Sequence, residues 1–240
     1  MILPVLTRSE ARLDLALRQC VTDGRVNYTA LAASGAVAER NADLARVDTG
    51  KMGSREQQLT FWINTYNTLV LAGGLEQMRA GRADSDLAGS ALGRIRFFAL
   101  RHHTVGAMQV SLAHIEKRIL RGGLCETRAL FALCRGAVSS PPLRAGVYFA
   151  ETLNVDLDEA ARAFVRSPRG MVVDRESHQV FLSQIFGWHR RDFESAVSGT
   201  VLDYVEQYAD EDMRAYLARH GVAARVRYLR WDWRLNDTGG

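Results

Sequence analysis

One apolar stripe constrains the fold of this 240-residue chain more than any other feature. Ser54 and Gln57 form the pattern of a capping box, which marks the start of a helix. If the helix runs on from there, its apolar residues fall on one side, and Gly73-Gly74 offers a stop. The members of the stripe are Leu59, Trp62, Ile63, Tyr66, Leu69, Val70 and Gly73. We therefore predict that this segment is the central core helix.

The rest of the chain mixes further helices with short strands. We expect helical segments in the first third, after Ser111 as far as Gly122-Gly123, near residues 155–166, and over Thr200–Arg219. We expect strands within His103–Val110, in a hairpin of Met171–Val173 with Val180–Leu182, and over Ala224–Leu235 with a bulge at Tyr228-Leu229. The pattern predicts an α+β fold, a predominantly helical single domain over residues 1–240 with a small antiparallel sheet.

The stretch from Leu130 to Arg144 is where we look for function. Its prolines, Pro141 and Pro142, fix φ and lack N–H donors, so the chain leaves regular structure at Ser139-Ser140. The small residues around this point let a ligand come close, and a loop entered from a buried segment holds its side chains in place. A tight packed turn without any function is the alternative interpretation.

Six blocks of sequence follow one another along the chain: Asp23–Tyr28, Phe61–Asn67, Ser111–Glu116, Phe131–Leu143, Leu182–Trp188 and Tyr228–Asn236. In this order they resemble an uncharacterised family, domain of unknown function 547. The family usually reads His-Phe-Ala-Leu, then a cysteine two residues after Leu, then Ser-Cys-Pro-Pro. Here Leu130, Arg135 and Ser140 stand in the His, Cys and Cys places, so this chain lacks the residues for the thiol or imidazole chemistry that the resemblance implies.

Composition sets bounds on partners and cofactors. The chain has 29 arginines, two lysines and a net charge of +4, which is too small to demand a nucleic-acid partner. Three widely spaced cysteines, Cys20, Cys125 and Cys134, indicate neither a disulfide framework nor a zinc site. We expect no metal and no cofactor. The oligomeric state is left open.

We expect neither a membrane span nor a leader. The apolar start Met1–Leu6 is soon interrupted by Arg8, and no run of about 18 apolar residues exists. We expect a cytoplasmic protein without a membrane partner. An exported form from which a signal peptide was removed is the alternative, because the resemblance includes exported relatives.

We predict one common site around the Ser139-Ser140 loop, since a few converging polar groups in an apolar setting are typical of binding pockets. Its candidate catalytic residues are Ser140, Ser139 and Glu116. Its candidate ligand-binding residues are Asn64, Asn67, Tyr66, Arg135 and Arg144. Arg135 would favour an anionic ligand, because a guanidinium holds a carboxylate in two places. If Glu116 reaches Arg135, it neutralises this charge and the preference vanishes.

Three functions remain open at this point. The first is a binding protein for a small molecule or a peptide partner, with the thiol centre of the family lost. The second is a hydrolase or an acyl or peptidyl transferase, papain-like in arrangement, with Ser140 or Ser139 as nucleophile and a histidine as base. The third is a scaffold, which an exposed apolar patch would support.

A nucleic-acid partner is disfavoured. The tail interleaves arginines with Tyr228, Trp231 and Trp233, as single-strand binding surfaces do. Alternation along the predicted strand places the two tryptophans on one face with Leu229 and Leu235, which favours burial in the core.

Overall fold

The computed structural model describes residues 6–81, 90–220 and 225–239. These residues form a predominantly helical α+β fold with small sheets, which confirms the predicted class. The helices are α1 Arg8–Cys20, α2 Tyr28–Ser34, α3 Ala36–Leu44, α4 Arg55–Arg79, α5 Ala91–Ile95, α6 Leu112–His114, α7 Ala129–Ala132, α8 Leu153–Val165, α9 Gln184–Trp188, α10 Arg190–Val197, α11 Val201–Glu206 and α12 Glu211–His220. The strands are β1 Val21–Thr22, β2 Arg25–Val26, β3 His103–Val105, β4 Met108–Val110, β5 Met171–Asp174, β6 Gln179–Leu182 and β7 Arg225–Tyr228.

Helix α4 is the predicted central helix. Its capping box is present, with the Ser54 hydroxyl accepting from the Gln57 backbone N–H and the Gln57 side chain accepting from Ser54 N–H. The predicted stop at Gly73-Gly74 is wrong, because the helix continues to Arg79. These glycines instead make room for aromatic rings: a Cβ on Gly73 would lie 2.3 Å from Phe97, and one on Gly74 would lie 2.3 Å from Tyr28.

Two groups of buried side chains form the interior. The first surrounds α4 with residues from α1 to α3, the β3–β4 hairpin and α6. The second is centred on Phe131, whose ring lies 5.5 to 5.7 Å from those of Phe164, Phe186 and Phe193. Helix α7 contributes to both groups, so the loop that follows it begins between them. A single domain over residues 1–240 stays a prediction.

Helices after Ser111 follow the predicted path with local changes. The Ser111 hydroxyl caps α6, and the chain continues as a π-helix, Ile115–Gly123, whose end is the predicted Gly122-Gly123. A further π-helical turn, Arg96–Leu100, extends α5. The helix predicted over Thr200–Arg219 is divided into α11 and α12. None of the described helices is long and apolar enough to cross a bilayer.

The C-terminal strand differs from the one predicted over Ala224–Leu235. The hairpin β5–β6 is antiparallel as predicted, but β7 joins it in parallel, and the strand ends at Tyr228. Predicted residue Ala224 lies outside the described residues. Beyond Tyr228 the chain leaves the sheet, and no bulge forms. Trp231 and Trp233 are half-buried, with ring centroids 5.5 Å apart and ring planes inclined at 51°, and Trp231 packs against the edge of the second core group.

The last residues tie the candidate loop to the start of the chain. The backbone N–H of Asn236 donates to the carbonyl of Gly136, and its carbonyl accepts from Val26. Val138 N–H donates to the carbonyl of Arg234. The segment 232–238 is therefore a strap that lies between the loop after α7 and strand β2.

Candidate functional site: a closed charge cluster and an arginine cleft

Asn67 fixes the start of the candidate loop. Its side-chain amide on α4 donates to the carbonyl of Ala132 at 2.9 Å, and its amide oxygen accepts from the backbone N–H of Cys134 at 2.9 Å. A buried amide pays a large desolvation cost unless it is paired, and here both ends are paired with backbone. Asn67 thus fixes the backbone of the loop at residues 132 and 134.

Asn64 does the same for the far end of the loop. It donates to the carbonyl of Tyr148 at 3.0 Å and accepts from the Tyr148 backbone N–H at 2.9 Å. The two asparagines therefore hold the segment between residues 132 and 148 from one face of α4. A ligand-binding role for Asn64 and Asn67 stays a prediction, since both amides are engaged by the backbone.

The two serines are bonded within the loop. The Ser140 hydroxyl accepts from the backbone N–H of Arg135 at 3.2 Å and of Ala137 at 3.1 Å. The Ser139 hydroxyl accepts from the backbone N–H of Asp232 at 2.9 Å. Among the residues that the structure describes, no imidazole is hydrogen-bonded to either hydroxyl. A serine needs a base to become a good nucleophile, so this arrangement favours a structural role.

Arg135 and Glu116 form a closed ion pair. The guanidinium of Arg135 donates to the Glu116 carboxylate at 2.9 Å, and both residues are buried, with 4% and 8% of their surface exposed. Burial opposes the charge of Arg135, but Glu116 together with Tyr66 and Cys134 outweighs it, and the pKa of Arg135 lies above its usual value. Glu116 reaches Arg135 and neutralises its charge. The predicted preference of Arg135 for an anionic ligand therefore vanishes.

His189 completes this cluster from the other side. Its Nε2 lies 3.3 Å from Glu116 Oε1, and its burial, with Arg135 and Arg121 nearby, lowers its pKa to about 3. The imidazole is therefore neutral at pH 7, and the contact requires its proton on Nε2. Its Nδ1 is buried without a hydrogen-bond partner and lies 4.0 Å from the Asp192 carboxylate, which pairs with Arg121.

The neighbouring thiol is also closed off. Cys134 Sγ accepts from Gly136 N–H and from the Asn236 amide, both at 3.4 Å. Burial raises the pKa of this thiol to about 11. Thiolate is the reactive form of cysteine, so Cys134 is unreactive at neutral pH.

Of the two remaining predicted ligand-binding residues, one is buried in the core and the other has partners inside the protein. Tyr66 is buried in the first core group, and this burial raises the pKa of its hydroxyl far above the usual value. Arg144 pairs with Asp156 at 2.6 Å and lies over the ring of Tyr148 at 5.1 Å. A binding role for either residue stays a prediction.

An open cleft lies on the outer side of the strap. It has a volume of about 440 Å³, within the range of small-molecule pockets. We call it the arginine cleft, and its lining residues are Arg25, Val138, Arg169, Arg234, Leu235, Asp237 and Gly239.

Two of the three arginines in this cleft form no ion pair with a carboxylate of the described residues. Arg25 donates to the backbone carbonyl of Asp237 at 2.5 Å, and Arg169 donates to that of Asp23 at 3.3 Å. Neither forms an ion pair within the described residues, whereas Arg234 is held by Asp232. A guanidinium has five N–H donors, so Arg25 and Arg169 keep donors for a ligand.

The comparisons with known proteins match one segment of the sequence to a family. Residues 50–165 match the sequence model of a family described as "Protein of unknown function, DUF547". This segment belongs to the DUF547 family. No curated protein and no solved structure matches the chain.

Leu130, Arg135 and Ser140, the positions at which the resemblance leads us to expect His, Cys and Cys, meet in space. The Arg135 backbone N–H donates to Ser140, and the Arg135 guanidinium lies 3.5 Å from the carbonyl oxygens of Leu130 and Leu133. The same guanidinium donates to Glu116. In this chain, the place therefore holds a buried ion pair between Arg135 and Glu116.

Several residues of this region were not singled out by sequence. His189 directly follows the Leu182–Trp188 block that resembles the family, so its position in the chain is the signal that could have found it. Arg25 lies in the first such block, and Asn236 closes the last. For Arg169 we find no sequence signal. Within the described residues, no three His, Cys, Asp or Glu side chains converge as a metal site would require.

Proposed function

We propose that this chain is a binding protein that has lost the thiol centre of its family and takes a small anionic ligand in the arginine cleft. The ligand would carry phosphate or carboxylate groups, because the planar fork of arginine matches both. The function of the family is unknown, so the proposal rests on this chain's own residues.

The lost thiol centre is supported by the cluster around Arg135. A buried arginine that is paired with Glu116 has no nucleophilic atom, and the neighbouring Cys134 is protonated at neutral pH. The alternative, a hydrolase or transferase with Ser140 or Ser139, receives less support. Both hydroxyls accept backbone N–H groups, and neither is hydrogen-bonded to a base among the described residues.

The observation that carries the ligand proposal is the pair Arg25 and Arg169. Both line one open cavity, and among the described residues both are bonded only to backbone carbonyls. The acidic lining residue Asp237 is engaged locally, since its carboxylate accepts from Tyr28 N–H at 3.4 Å. An anion with two charged groups could therefore bond both guanidinium groups without displacing an internal ion pair.

Isothermal titration with inorganic pyrophosphate and with succinate tests this proposal and separates a phosphate from a carboxylate ligand. We expect one of the two to bind the wild-type protein. Arg25→Ala and Arg169→Ala should each weaken that binding at least tenfold, a loss typical of a charge-assisted pair. Arg219→Ala, which removes an exposed arginine of α12, is the matched control and should change the Kd less than twofold. If neither anion binds, or if both cleft variants bind like the control, the proposal is wrong.

A further inference from the structure

A cluster of aromatic side chains lies on the surface beside the C-terminal strand. The rings of Trp188, Trp231 and Trp233 lie 4.7, 5.5 and 6.0 Å apart, and Trp188 is 46% exposed. Tyr228 of β7, which is 39% exposed, packs against Gly187, the neighbour of Trp188. We call these four residues the tryptophan surface. Tryptophan and tyrosine are the residue types that dominate the energetics of protein interfaces.

Strand β7 next to this surface has a free edge. The order of its sheet is β5-β6-β7, so β7 has a strand partner on one side only within the described residues. Arg225 N–H donates to the carbonyl of His178, just before β6, and Leu229 N–H donates to the carbonyl of Leu182, the last residue of β6. Because neighbouring residues of a strand point their N–H groups to opposite sides, those of Val226 and Tyr228 face the open edge. All four residues of β7 are exposed.

The charge around the edge is positive. Arg225 and Arg227 on β7 and Arg230 just after it form no ion pair with any described residue. The nearby carboxylates of Asp232 and Glu194 are already engaged, by Arg234 and Arg190. Residues 230–234 line a cavity of about 470 Å³ beside the tryptophans. A partner at this edge would therefore gain most from acidic side chains.

We propose that an extended acidic peptide binds here as a fourth strand on the open edge of β7. Its backbone would pair with Val226 and Tyr228, and a large apolar side chain would lie on the tryptophan surface. Strand addition at a free edge is an established mode of peptide recognition, in which backbone bonds give affinity and side chains give specificity. The site is separate from the free arginines of the cleft, so this proposal goes beyond the proposed function.

A single-stranded nucleic acid fits the same observations less well. Bases bind by stacking on exposed aromatic faces. Here the indole rings pack on one another at interplanar angles of 23° to 51° and cover part of their own faces. The exposed aliphatic side chain of Val226 and the unpaired backbone edge are features that a peptide can use and a nucleic acid cannot.

The test is fluorescence anisotropy with a labelled ten-residue peptide of alternating glutamate and valine that contains one central tryptophan. The control peptide has lysine in place of glutamate, and labelled oligothymidine serves as the nucleic-acid probe. We expect the acidic peptide to bind and the two other probes to bind at least tenfold more weakly. Binding of oligothymidine in preference to the peptide, or binding of no probe, would overturn the proposal.

Two substitutions locate the bound peptide. Val226→Pro removes an outward N–H without removing a bond to β6, and it should weaken binding at least tenfold, whereas Val226→Ala should change it less than threefold. Trp188→Ala should also weaken binding about tenfold. Val172→Ala on β5, at the other edge of the sheet, and Arg169→Ala in the cleft are controls that should leave it unchanged.

Circular dichroism shows whether Val226→Pro folds, and a peptide with methylated backbone nitrogens tests strand pairing without changing the protein. If circular dichroism shows that Val226→Pro does not fold, a peptide with alternate backbone nitrogens methylated replaces it, because methylation removes donors from the ligand instead. The methylated peptide should lose at least tenfold in affinity for the wild-type protein. Unchanged binding of either Val226→Pro or the methylated peptide would contradict strand addition.

Discussion

The cluster around Arg135 and the arginine cleft both contain arginine, yet they use it in opposite ways. Arg135 is buried and bonded to Glu116, and His189 lies against the same carboxylate. Arg25 and Arg169 face an open cavity and, among the described residues, bond only to backbone carbonyls. A buried charge must be paired inside the protein, whereas an open one can be paired by a ligand. The same residue type therefore supports the fold in one region, and in our proposal it binds a ligand in the other.

Removal of one partner from the closed cluster should give the largest effect. In Glu116→Gln, Arg135 keeps its charge in a buried place without a carboxylate, which should lower the free energy of unfolding by about 3–5 kcal/mol. Urea unfolding followed by circular dichroism measures this loss. The double variant Glu116→Leu with Arg135→Met removes both charges and should recover much of it. A loss under about 1 kcal/mol in Glu116→Gln would show that the pair is open to water.

Asn67→Ala should give the next largest loss. It leaves the carbonyl of Ala132 and the N–H of Cys134 without partners in a buried place, which should cost roughly 2–4 kcal/mol. The matched control is Asn41→Ala on the exposed side of α3, with an expected change within about 0.5 kcal/mol. Equal unfolding midpoints for the two variants would contradict the role of Asn67 as the support of the loop.

His189 should make stability depend on pH in a defined direction. The unfolded chain has a histidine pKa of about 6.5, whereas burial lowers that of His189 to about 3, so the unfolded state binds the proton first as the pH falls. Above about pH 6.5 the proton binds to neither state, and the protein keeps its full free energy of unfolding. Below that pH the unfolded chain binds the proton, and the free energy of unfolding falls progressively towards pH 3. When the pH falls from 7 to 5.5, the free energy of unfolding of the wild type should therefore decrease by about 1 kcal/mol more than that of His189→Gln.

The exposed His114→Gln is the control for this comparison, because it leaves the buried imidazole in place. Unfolding in urea at the two pH values measures all three proteins. If His189→Gln shows the same dependence on pH as the wild type, His189 is not held neutral by its surroundings.

Substitutions in the open cleft should have the smallest effect on stability. Arg169→Ala removes one hydrogen bond to a backbone carbonyl at the surface, and the unfolding free energy should change by less than about 0.5 kcal/mol. Thermal unfolding without ligand measures this change. A loss above about 2 kcal/mol would mean that Arg169 supports the fold, as Arg135 does.

Local patterns in the sequence predict much of the fold. The capping box of α4, the cap at Ser111 and the β5–β6 hairpin each depend on residues that are close in the chain, and each is present. The errors concern contacts between distant segments. Gly73 and Gly74 signal a helix end locally, but the rings of Phe97 and Tyr28 need the space that they leave. The tail alternates like a long strand, but only residues 225–228 lie beside β6.

In the candidate site, too, local patterns were predicted and contacts between distant segments were not. The sequence pointed to the loop after α7, and the structure brings Arg135, Glu116 and Ser140 together there. It could not show that Asn64 and Asn67 bind backbone, because both partners lie more than 60 residues away along the chain. The arginine cleft was missed because it is assembled from four distant segments of the chain that carry no shared motif.

The most direct test of the contrast between the closed and the open region is a crystal structure of the protein with inorganic pyrophosphate. Our account predicts density for the anion in the cleft, within hydrogen-bond distance of the Arg25 and Arg169 guanidinium groups, with the Arg135–Glu116 pair unchanged. Density for the anion on Arg135, with Glu116 displaced, would contradict it. That result would mean that the closed cluster opens and is itself the binding site.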